Sequence, residues 1–371
     1  MKIAINTRFL IKGKMEGFGW YTYEISKRLC SLMPEHQFFF FFDRAFDEEF
    51  IFADNVTPVV INPPARHPIL FSIWFNFSVK RALKKHQIDL FFSPDGYASL
   101  TSDVKQLITI HDLNFEHNSK DLPASASKYL RKNFPKFARK ADHILTVSNY
   151  SKSDIQNTYG IKEEKITSVW NGASDLFKPV VGDELVQLKK KWNEGRPYFL
   201  FVGSLHPRKN VRRLIEAYDQ YSKQKENTWD LVIVGEELWS NMEGFKLSAS
   251  LKNRVKFTGR MGIEDLTEVM AASDAFVYVP YFEGFGIPIV EAMKCGIPII
   301  SGDKTSLPEV AGDAALYCDP FDVSSIAEAM RTMALDDALR NDFAAKSLDR
   351  GKEFSWDKSA LQVKEVIERM L

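Results

Sequence analysis

The chain has 371 residues, which is longer than a single hydrophobic core usually grows, so two domains are expected. Hydrophobic residues make up 45% of the chain and charged residues 26%, a composition that excludes wholesale disorder. The formal net charge is zero, yet residues 1–180 hold 24 Lys and Arg against 19 Asp and Glu, and residues 181–371 hold 25 against 30. This split of +5 and −5 arises either by chance or because the first half contacts an anionic surface.

No segment is long and apolar enough to cross a bilayer, which requires about 20 residues. The phenylalanine run at residues 38–42 is far shorter and predicts a buried strand of a parallel sheet. The charged N-terminus leads directly into a strand and lacks the apolar segment of a signal peptide. The three cysteines are far apart and lack metal-ligand spacing, so we expect reduced thiols and a cytoplasmic location.

Short apolar, β-rich runs alternate with helical patterns along nearly the whole chain, which predicts parallel sheets covered by helices on both faces. Strands are predicted, in chain order, at residues 2–6, 38–42, 59–61, 90–93, 106–110, 143–147, 198–203, 231–235, 255–258, 275–279, 298–301 and 315–318. The strand–loop–helix pattern starts twice, with helices from about Gly19 and about Asn210. We therefore predict an α/β chain of two Rossmann-like domains that face one another across a ligand-binding cleft, with the boundary within residues 177–197.

The most informative segment follows the predicted strand 275–279 and reads Glu283-Gly284-Phe285-Gly286-Ile287-Pro288-Ile289-Val290-Glu291. A proline suits the first turn of a helix, so a short helix starts at this glycine turn, with free N–H groups that can hold a diphosphate. Glu291 can accept hydrogen bonds from both hydroxyls of a ribose, and Glu283 can orient sugar hydroxyls and stabilise positive charge at an anomeric carbon. In an isolated pair, the more frequent interpretation would be that Glu291 complements the helix dipole and that Glu283 is a solvated loop residue.

A second strand, glycine turn and helix start reads Gly203-Ser204-Leu205-His206-Pro207-Arg208-Lys209-Asn210. Arg208 offers paired contacts to phosphate oxygens and Lys209 adds a compact charge, so both can neutralise a departing diphosphate. A basic pair at a helix start is ordinarily solvated surface, but this pair follows the first strand of the second half. His111 lies at the carboxyl end of predicted strand 106–110, where it either caps the strand or reaches a ligand in the cleft.

Together these motifs resemble the retaining glycosyltransferases of family 4, also called glycosyl transferases group 1, which have the GT-B fold. The segments that carry the resemblance are 203–210, 283–291, Ser306-Leu307-Pro308-Glu309-Val310-Ala311-Gly312, Gly17-Phe18-Gly19-Trp20-Tyr21-Thr22, His111-Asp112, Val147-Ser148-Asn149-Tyr150-Ser151 and Asn171-Gly172. They span nearly the whole chain. The family often has an aspartate after Asn-Gly, where this chain has Ala173, so no catalytic role is assigned there.

The resemblance implies a hexosyltransferase that needs no cofactor and no metal, and that moves a hexose from a nucleotide-sugar to a hydroxyl of a glycan or lipid-linked saccharide in polysaccharide biosynthesis. We expect mannose, carried by GDP-mannose. Retention implies a front-face reaction in which the leaving phosphate helps to deprotonate the acceptor. The absence of any Asp-x-Asp in the sequence agrees with independence from metal.

The resemblance also implies a role for each matching residue. Arg208 and Lys209 would bind the diphosphate, and His111 would lie near the transferred sugar and the acceptor. Glu291 would bind the ribose and Glu283 the donor sugar. Residues implied to line the donor pocket are Gly17, Phe18, Gly19, Gly203, Ser204, Phe285, Gly286, Ile287, Thr305, Ser306 and Leu307.

The implied domains are an acceptor-binding domain at residues 1–180, a nucleotide-sugar-binding domain at 181–355 and, at 356–371, a helix that crosses back to the first domain. Two basic segments with aromatic residues, 68–85 and 125–140, either contact an anionic membrane or are solvated faces of packed helices. Membrane contact would place the protein at the inner membrane face. No nucleic-acid partner is expected.

Other interpretations remain open. A sugar-nucleotide epimerase or a phosphorylase would have the same fold. A nicotinamide-dependent oxidoreductase is also built on Rossmann units, but Gly17-Phe18-Gly19 is not followed by the third glycine of Gly-x-Gly-x-x-Gly. A non-catalytic sugar-nucleotide-binding protein is disfavoured because the whole implied catalytic set is present.

Overall fold

The structure is a computed structural model that describes residues 1–65, 67–223, 228–236 and 251–371. The chain divides into two compact units, one formed by Met1–Asn171 with Trp356–Leu371 and the other by Gly172–Ser355. The α-helices of the described ranges are α1 (Gly17–Leu32), α2 (Pro68–Ile73), α3 (Lys80–His86), α4 (Asn114–His117), α5 (Ala124–Lys140), α6 (Asn149–Tyr159), α7 (Gly182–Asn193), α8 (Val211–Ser222), α9 (Ile263–Ala271), α10 (Ile287–Lys294), α11 (Leu307–Ala311), α12 (Val323–Leu335), α13 (Asp337–Gly351) and α14 (Trp356–Met370). Across these ranges no helix is long and apolar enough to cross a membrane.

The first unit is built on a parallel sheet. Its strands are β1 (Lys2–Asn6), β2 (Gln37–Phe42), β3 (Val56–Val60), β4 (Leu90–Ser93), β5 (Lys105–Thr109), β6 (His143–Thr146) and β7 (Ile166–Ser168), in the spatial order β3-β2-β1-β4-β5-β6-β7. The strands predicted for this half are all present, and the phenylalanine run forms the buried part of β2. The sequence pattern does not predict β7, because this strand has three residues and two of them are polar.

A second parallel sheet forms the core of the other unit. Its strands are β8 (Tyr198–Val202), β9 (Asp230–Val234), β10 (Val255–Gly259), β11 (Ala275–Tyr278), β12 (Ile299–Gly302) and β13 (Ala315–Cys318), in the order β10-β9-β8-β11-β12-β13. Each agrees with a predicted strand to within one residue at either end. The runs are mostly apolar because a parallel sheet is covered on both faces. The prediction of two Rossmann-like α/β units is therefore confirmed.

Both sheets reverse their strand order once, between β1 and β4 in the first unit and between β8 and β11 in the second. At such a point the loops that follow the two strands diverge and leave a crevice at the carboxyl ends of the strands, where ligands usually bind. In the second unit these loops are residues 203–210 and 279–286, the two segments that the sequence singles out. The topology therefore brings the predicted acids and cations to one place.

The last helix, α14, belongs to the first unit although it follows the second unit in the chain. Trp356 meets the ring of Tyr21 on α1 edge-on, with 6.2 Å between ring centroids. The Ser359 hydroxyl donates a hydrogen bond to the carbonyl oxygen of Trp170. The first unit ends at Asn171, nine residues before the predicted domain boundary at 180.

Candidate active site

The segment after β11 forms a tight turn that leads at once into a helix. Gly286 has φ +102°, which residues with a Cβ rarely adopt, and a Cβ there would lie 2.9 Å from Cδ2 of Leu307. Helix α10 begins at the next residue, with a proline in its first turn, as predicted. The glycine therefore lets the chain turn so that Glu283 lies before the helix and Glu291 lies within it.

The Glu283 carboxylate is the centre of a buried charged cluster. Its Oε1 accepts hydrogen bonds from Nη1 of Arg208 at 2.8 Å, Nζ of Lys209 at 2.5 Å and the hydroxyl of Tyr278 at 3.0 Å. Only 6% of Glu283 and 9% of Lys209 is exposed. Burial by itself raises the pKa of the Glu283 carboxyl, but the two cations outweigh this effect and hold the pKa at about 2. Glu283 is therefore an anion throughout the neutral pH range.

The loop after β12 holds the backbone of the Glu283 turn. Oγ1 of Thr305 accepts a hydrogen bond from the Glu283 N–H at 3.2 Å. The Ser306 hydroxyl donates to the carbonyl oxygens of Glu283 at 2.9 Å and Phe285 at 3.2 Å. Thr305 has φ +58°, a conformation that strains a β-branched residue by about 1–3 kcal/mol. The next helix begins at Leu307, which is fully buried, and this packing keeps the strained loop against the turn.

The two cations of the cluster come from the loop after β8. Gly203 and Ser204 leave the strand, and one 3₁₀ turn, Pro207–Lys209, precedes α8. Asn210 follows in the left-handed conformation with φ +62°. Its Nδ2 donates to the carbonyl oxygen of Val279 at 2.9 Å, so a buried amide fixes this loop to the segment that follows β11.

Glu291 has an environment opposite to that of Glu283. It lies on α10, one turn after the start of the helix. Burial of its carboxyl raises the pKa to about 7. An ionised carboxylate accepts several hydrogen bonds, so two hydroxyl donors would stabilise its charged form.

His111 follows β5 in the first unit. Its Nε2 lies 2.8 Å from the carbonyl oxygen of Pro94, which only accepts, so Nε2 carries a hydrogen. Burial lowers the pKa of the ring, so the imidazole is neutral at pH 7 and its Nδ1 is an acceptor. The rings of Phe18 and Tyr21 meet the imidazole edge-on, with centroids 4.8 and 4.7 Å away.

The predicted glycine loop of the first unit is the start of α1. The helix begins at Gly17, and Phe18, which is 44% exposed, carries the ring that contacts His111. A Cβ on Gly19 would lie 2.8 Å from the carbonyl oxygen of Phe9, so a glycine is needed where the preceding loop packs on the helix. By contrast, a Cβ on Gly17 would meet no neighbouring atom within 4 Å.

A buried ion pair lies at the switch point of the first sheet. Nε of Arg8, after β1, is 2.6 Å from Oδ2 of Asp95, after β4, and the side chains are 4% and 2% exposed. Nδ2 of Asn6 donates to the same oxygen at 2.9 Å. The rings within 5.3 Å of the Arg8 guanidinium carbon belong to Phe9, Phe71, Phe75 and Tyr97. Sequence reasoning missed this pair, and its signal was an arginine two residues after the end of a buried strand.

The predicted site residues fall into two sets. The loops and helix starts after β8, β11 and β12 carry Gly203, Ser204, Arg208, Lys209, Glu283, Phe285, Gly286, Ile287, Glu291, Ser306 and Leu307. His111 lies in the first unit with Gly17, Phe18 and Gly19. Tyr278, which holds the cluster in place, was missed. Thr305 and Asn210 belong to the predicted segments, but their hydrogen bonds to the backbone of the site were not predicted. Within the described ranges, no three His, Cys, Asp or Glu side chains are grouped so that they could hold a metal ion.

Two parallel α/β units with a switch point in each are the architecture of the GT-B glycosyltransferases, and comparison with known families agrees. Residues 184–350 match the family of glycosyl transferases group 1, and residues 15–175 match glycosyltransferase family 4. The protein is a glycosyltransferase. It belongs to the group 1 glycosyltransferases of family 4.

Several known proteins are similar to this chain. It is 28% identical to O-antigen chain mannosyltransferase B of Escherichia coli over 375 residues, 98% of each chain. It is 30% identical to the O-antigen chain mannosyltransferase RfbU of Salmonella typhimurium over 247 residues, 65% of each chain. Among solved structures, WaaG, a glycosyltransferase involved in lipopolysaccharide biosynthesis, has a TM-score of 0.80 at 16% identity over 99% of each chain. Anabaena HepE in complex with UDP-glucose has a TM-score of 0.78 at 20% identity over the full length of both. These two structures show the shared fold.

The different pKa values of Glu283 and Glu291 can be measured in the ligand-free protein. With ¹³C-labelled glutamate, we expect one carboxyl carbon to titrate near pH 7 and to disappear from the spectrum of Glu291→Gln. The Glu283 resonance, assigned with Glu283→Gln, should remain that of an ionised carboxylate well below pH 4.5, because its pKa is about 2. An ordinary midpoint near 4.5 for Glu291 would contradict the burial argument.

Proposed function

We propose that the protein transfers mannose from GDP-mannose to a hydroxyl of a glycan or lipid-linked saccharide, with retention of configuration and without a metal ion. The observation that carries the proposal is the buried Glu283 carboxylate paired with Arg208 and Lys209 at the switch point of the second sheet. The choice of sugar is supported by the similarity to O-antigen mannosyltransferases.

The donor would bind along the crevice from the cations to Glu291. The diphosphate carries the negative charge that Arg208 and Lys209 attract, and the positive dipole end of α10 adds to this attraction. The ribose hydroxyls would donate to the Glu291 carboxylate. Since binding needs the ionised form of a carboxyl whose pKa is about 7, donor binding should release protons below pH 7.

The reaction would break the bond between C1 of the sugar and the β-phosphate oxygen. The acceptor oxygen attacks C1 from the same face, and its proton passes to the departing phosphate oxygen. Negative charge grows on that phosphate as the bond breaks, and the two cations stabilise it. The Glu283 anion can stabilise the positive charge that develops at C1 and orient sugar hydroxyls. Neutral His111 can accept a hydrogen bond from a sugar hydroxyl through Nδ1.

A transfer assay tests the proposed function. GDP should be released from GDP-mannose only when a mannose-containing acceptor is present, also in EDTA, and the product should have the α-configuration of the donor by NMR. GDP-mannose and GDP should both raise the melting temperature of the wild-type protein, and both should bind less tightly to Glu291→Gln. Release without acceptor, conversion of the donor sugar to its epimer, or a requirement for phosphate would favour a hydrolase, an epimerase or a phosphorylase instead.

The lysine of the cluster should matter more for turnover than for binding. Lys209→Ala should lower kcat by roughly 10²–10³, because the phosphate charge that the ammonium stabilises grows toward the transition state. Lys223→Ala, which removes an exposed lysine paired with Asp219 in the same unit, should leave kcat unchanged. Steady-state kinetics with GDP-mannose measure both, and near-normal turnover of Lys209→Ala would refute the assignment.

We also propose that the first unit contacts an anionic membrane that carries a lipid-linked acceptor, at its cytoplasmic face. In the segment formed by α2, the π-helical stretch Trp74–Val79 and α3, Ile69, Ile73 and Phe77 are 65%, 37% and 69% exposed and lie on successive turns. Exposed cations follow on α3 at Lys80, Arg81, Lys84 and Lys85. An apolar stripe continuous with cations fits the interface of an anionic bilayer. Helix α5 instead buries its aromatic residues Phe134 and Phe137 and exposes mainly charge.

Sedimentation with liposomes tests this contact. The wild-type protein should bind vesicles with anionic lipid at low salt, and salt should weaken binding, because screening at physiological ionic strength acts within about 8–10 Å. A variant with Ile69→Ser and Phe77→Ser should lose binding, whereas Val186→Ser, at a residue 66% exposed in the second unit, should not. Charge reversal at Arg131, Lys132 and Lys136 measures how much α5 contributes to vesicle binding. A wild-type protein that ignores these vesicles at low salt would point to a soluble acceptor.

A further inference from the structure

Tyr278, the last residue of β11, carries a hydroxyl that packing alone does not require. The residue is fully buried, and its ring stacks with Phe201 at 6.0 Å and with Phe276 at 5.7 Å between centroids. The hydroxyl lies 2.5 Å from Nζ of Lys209, which donates to it, and 3.0 Å from Oε1 of Glu283, to which it donates. A phenylalanine would fill the same space without making either hydrogen bond.

We propose that Tyr278 is a positioning residue whose hydroxyl fixes the Lys209 ammonium relative to the Glu283 carboxylate while a donor is bound. This inference rests on the proposed sugar transfer, because it assigns a role within that same site. The hydroxyl acts as acceptor toward the lysine and as donor toward the glutamate, so it links the two groups that serve opposite ends of the breaking bond.

The need for such a link follows from the competition that a diphosphate introduces. In the ligand-free cluster the lysine and the glutamate neutralise each other at 2.5 Å. A bound diphosphate attracts the ammonium, and the attraction grows as negative charge develops on the leaving oxygen. Without a fixed third group, the ammonium would follow the phosphate, and the carboxylate would lose a donor at the moment when its charge acts on C1.

Tyr278 is well placed to resist this displacement. It lies on the strand between β8 and β12 in the middle of the sheet, so its position does not depend on loop conformation. One edge of its ring lies 3.8 Å from where a Cβ of Gly286 would be, under the turn that starts α10. Burial, with the nearby Glu283 charge, raises the pKa of the Tyr278 hydroxyl well above its ordinary value, so the group keeps the proton that it donates.

Comparison of two Tyr→Phe variants tests the inference. Tyr278→Phe should lower kcat about 10- to 100-fold, the expected loss for a hydrogen bond to a charged group. Its KM for GDP-mannose should stay within roughly three-fold of the wild-type value, because the link matters most in the transition state. The ¹³C-monitored pKa of Glu283 should rise, since the carboxylate loses a donor.

The matched control is Tyr198→Phe. Tyr198 is fully buried on β8, and its hydroxyl donates to the carbonyl oxygen of Val269 at 2.6 Å. Tyr198→Phe therefore also removes one buried, hydrogen-bonded hydroxyl. This variant should show a comparable drop in melting temperature with normal kcat and a normal Glu283 titration.

The outcomes separate the inference from the proposed function. The inference would be overturned if the wild type and Tyr278→Phe had the same kinetics and the same Glu283 titration. It would also be overturned if Tyr278→Phe changed only KM, or if Tyr198→Phe lowered kcat as much. If the wild-type protein transfers no mannose, the proposed function fails. The Glu283 titration in the ligand-free variants then still decides whether the Tyr278 hydroxyl holds the cluster.

Discussion

The site removes three charged groups from water, namely the Glu283 carboxylate, the Arg208 guanidinium and the Lys209 ammonium. This desolvation costs roughly several kcal/mol for each ion. Their mutual attraction offsets that cost only if the geometry is kept, and removal of the Glu283 carboxylate would leave two cations without a counter-charge. The cations and the carboxylate come from loops after different strands, so both loops must be fixed. The amide of Asn210 and the strained backbone of Thr305 are therefore explained by the electrostatics of the cluster.

The electrostatics of this cluster also give two neighbouring carboxylates different pKa values. Glu283 and Glu291 lie eight positions apart and share their chemistry, but cations hold the pKa of one at about 2 while burial raises the other to about 7. The first group is thus a permanent anion suited to stabilising positive charge. Glu291 changes its charge near neutral pH, and hydrogen bonds from hydroxyl donors would stabilise its ionised form. Environment, rather than residue type, separates the two roles.

Much of this could be predicted from sequence because parallel strands and helix starts have local signals. Strand β8 is an uninterrupted apolar run, and the glycine turn with its proline predicted the start of α10. Strand β7 could not be predicted, since Ile166-Thr167-Ser168 is a strand only by pairing with β6. The left-handed backbone of Thr305 could not be predicted either, because the tertiary contacts of its loop impose it.

Tyr278 shows a different limit of sequence reasoning. In the buried segment Ala275–Tyr278 a tyrosine reads as an aromatic core residue, and its ring does pack as one. The role of its hydroxyl depends on Lys209 and Glu283, which lie on two loops that the reversal of strand order brings together.

The two switch points carry different chemistry although the strand order around them is the same. In the first unit, Arg8 is held by Asp95 and surrounded by aromatic rings, so its charge is already neutralised within the fold. The nearby His111 is neutral because burial lowers its pKa. In the second unit, the cluster carries two cations against the single Glu283 carboxylate, a net charge of +1 that an anionic ligand can neutralise. The topology therefore supplies two similar crevices, and the local charge balance makes the second of them the more attractive to an anionic ligand.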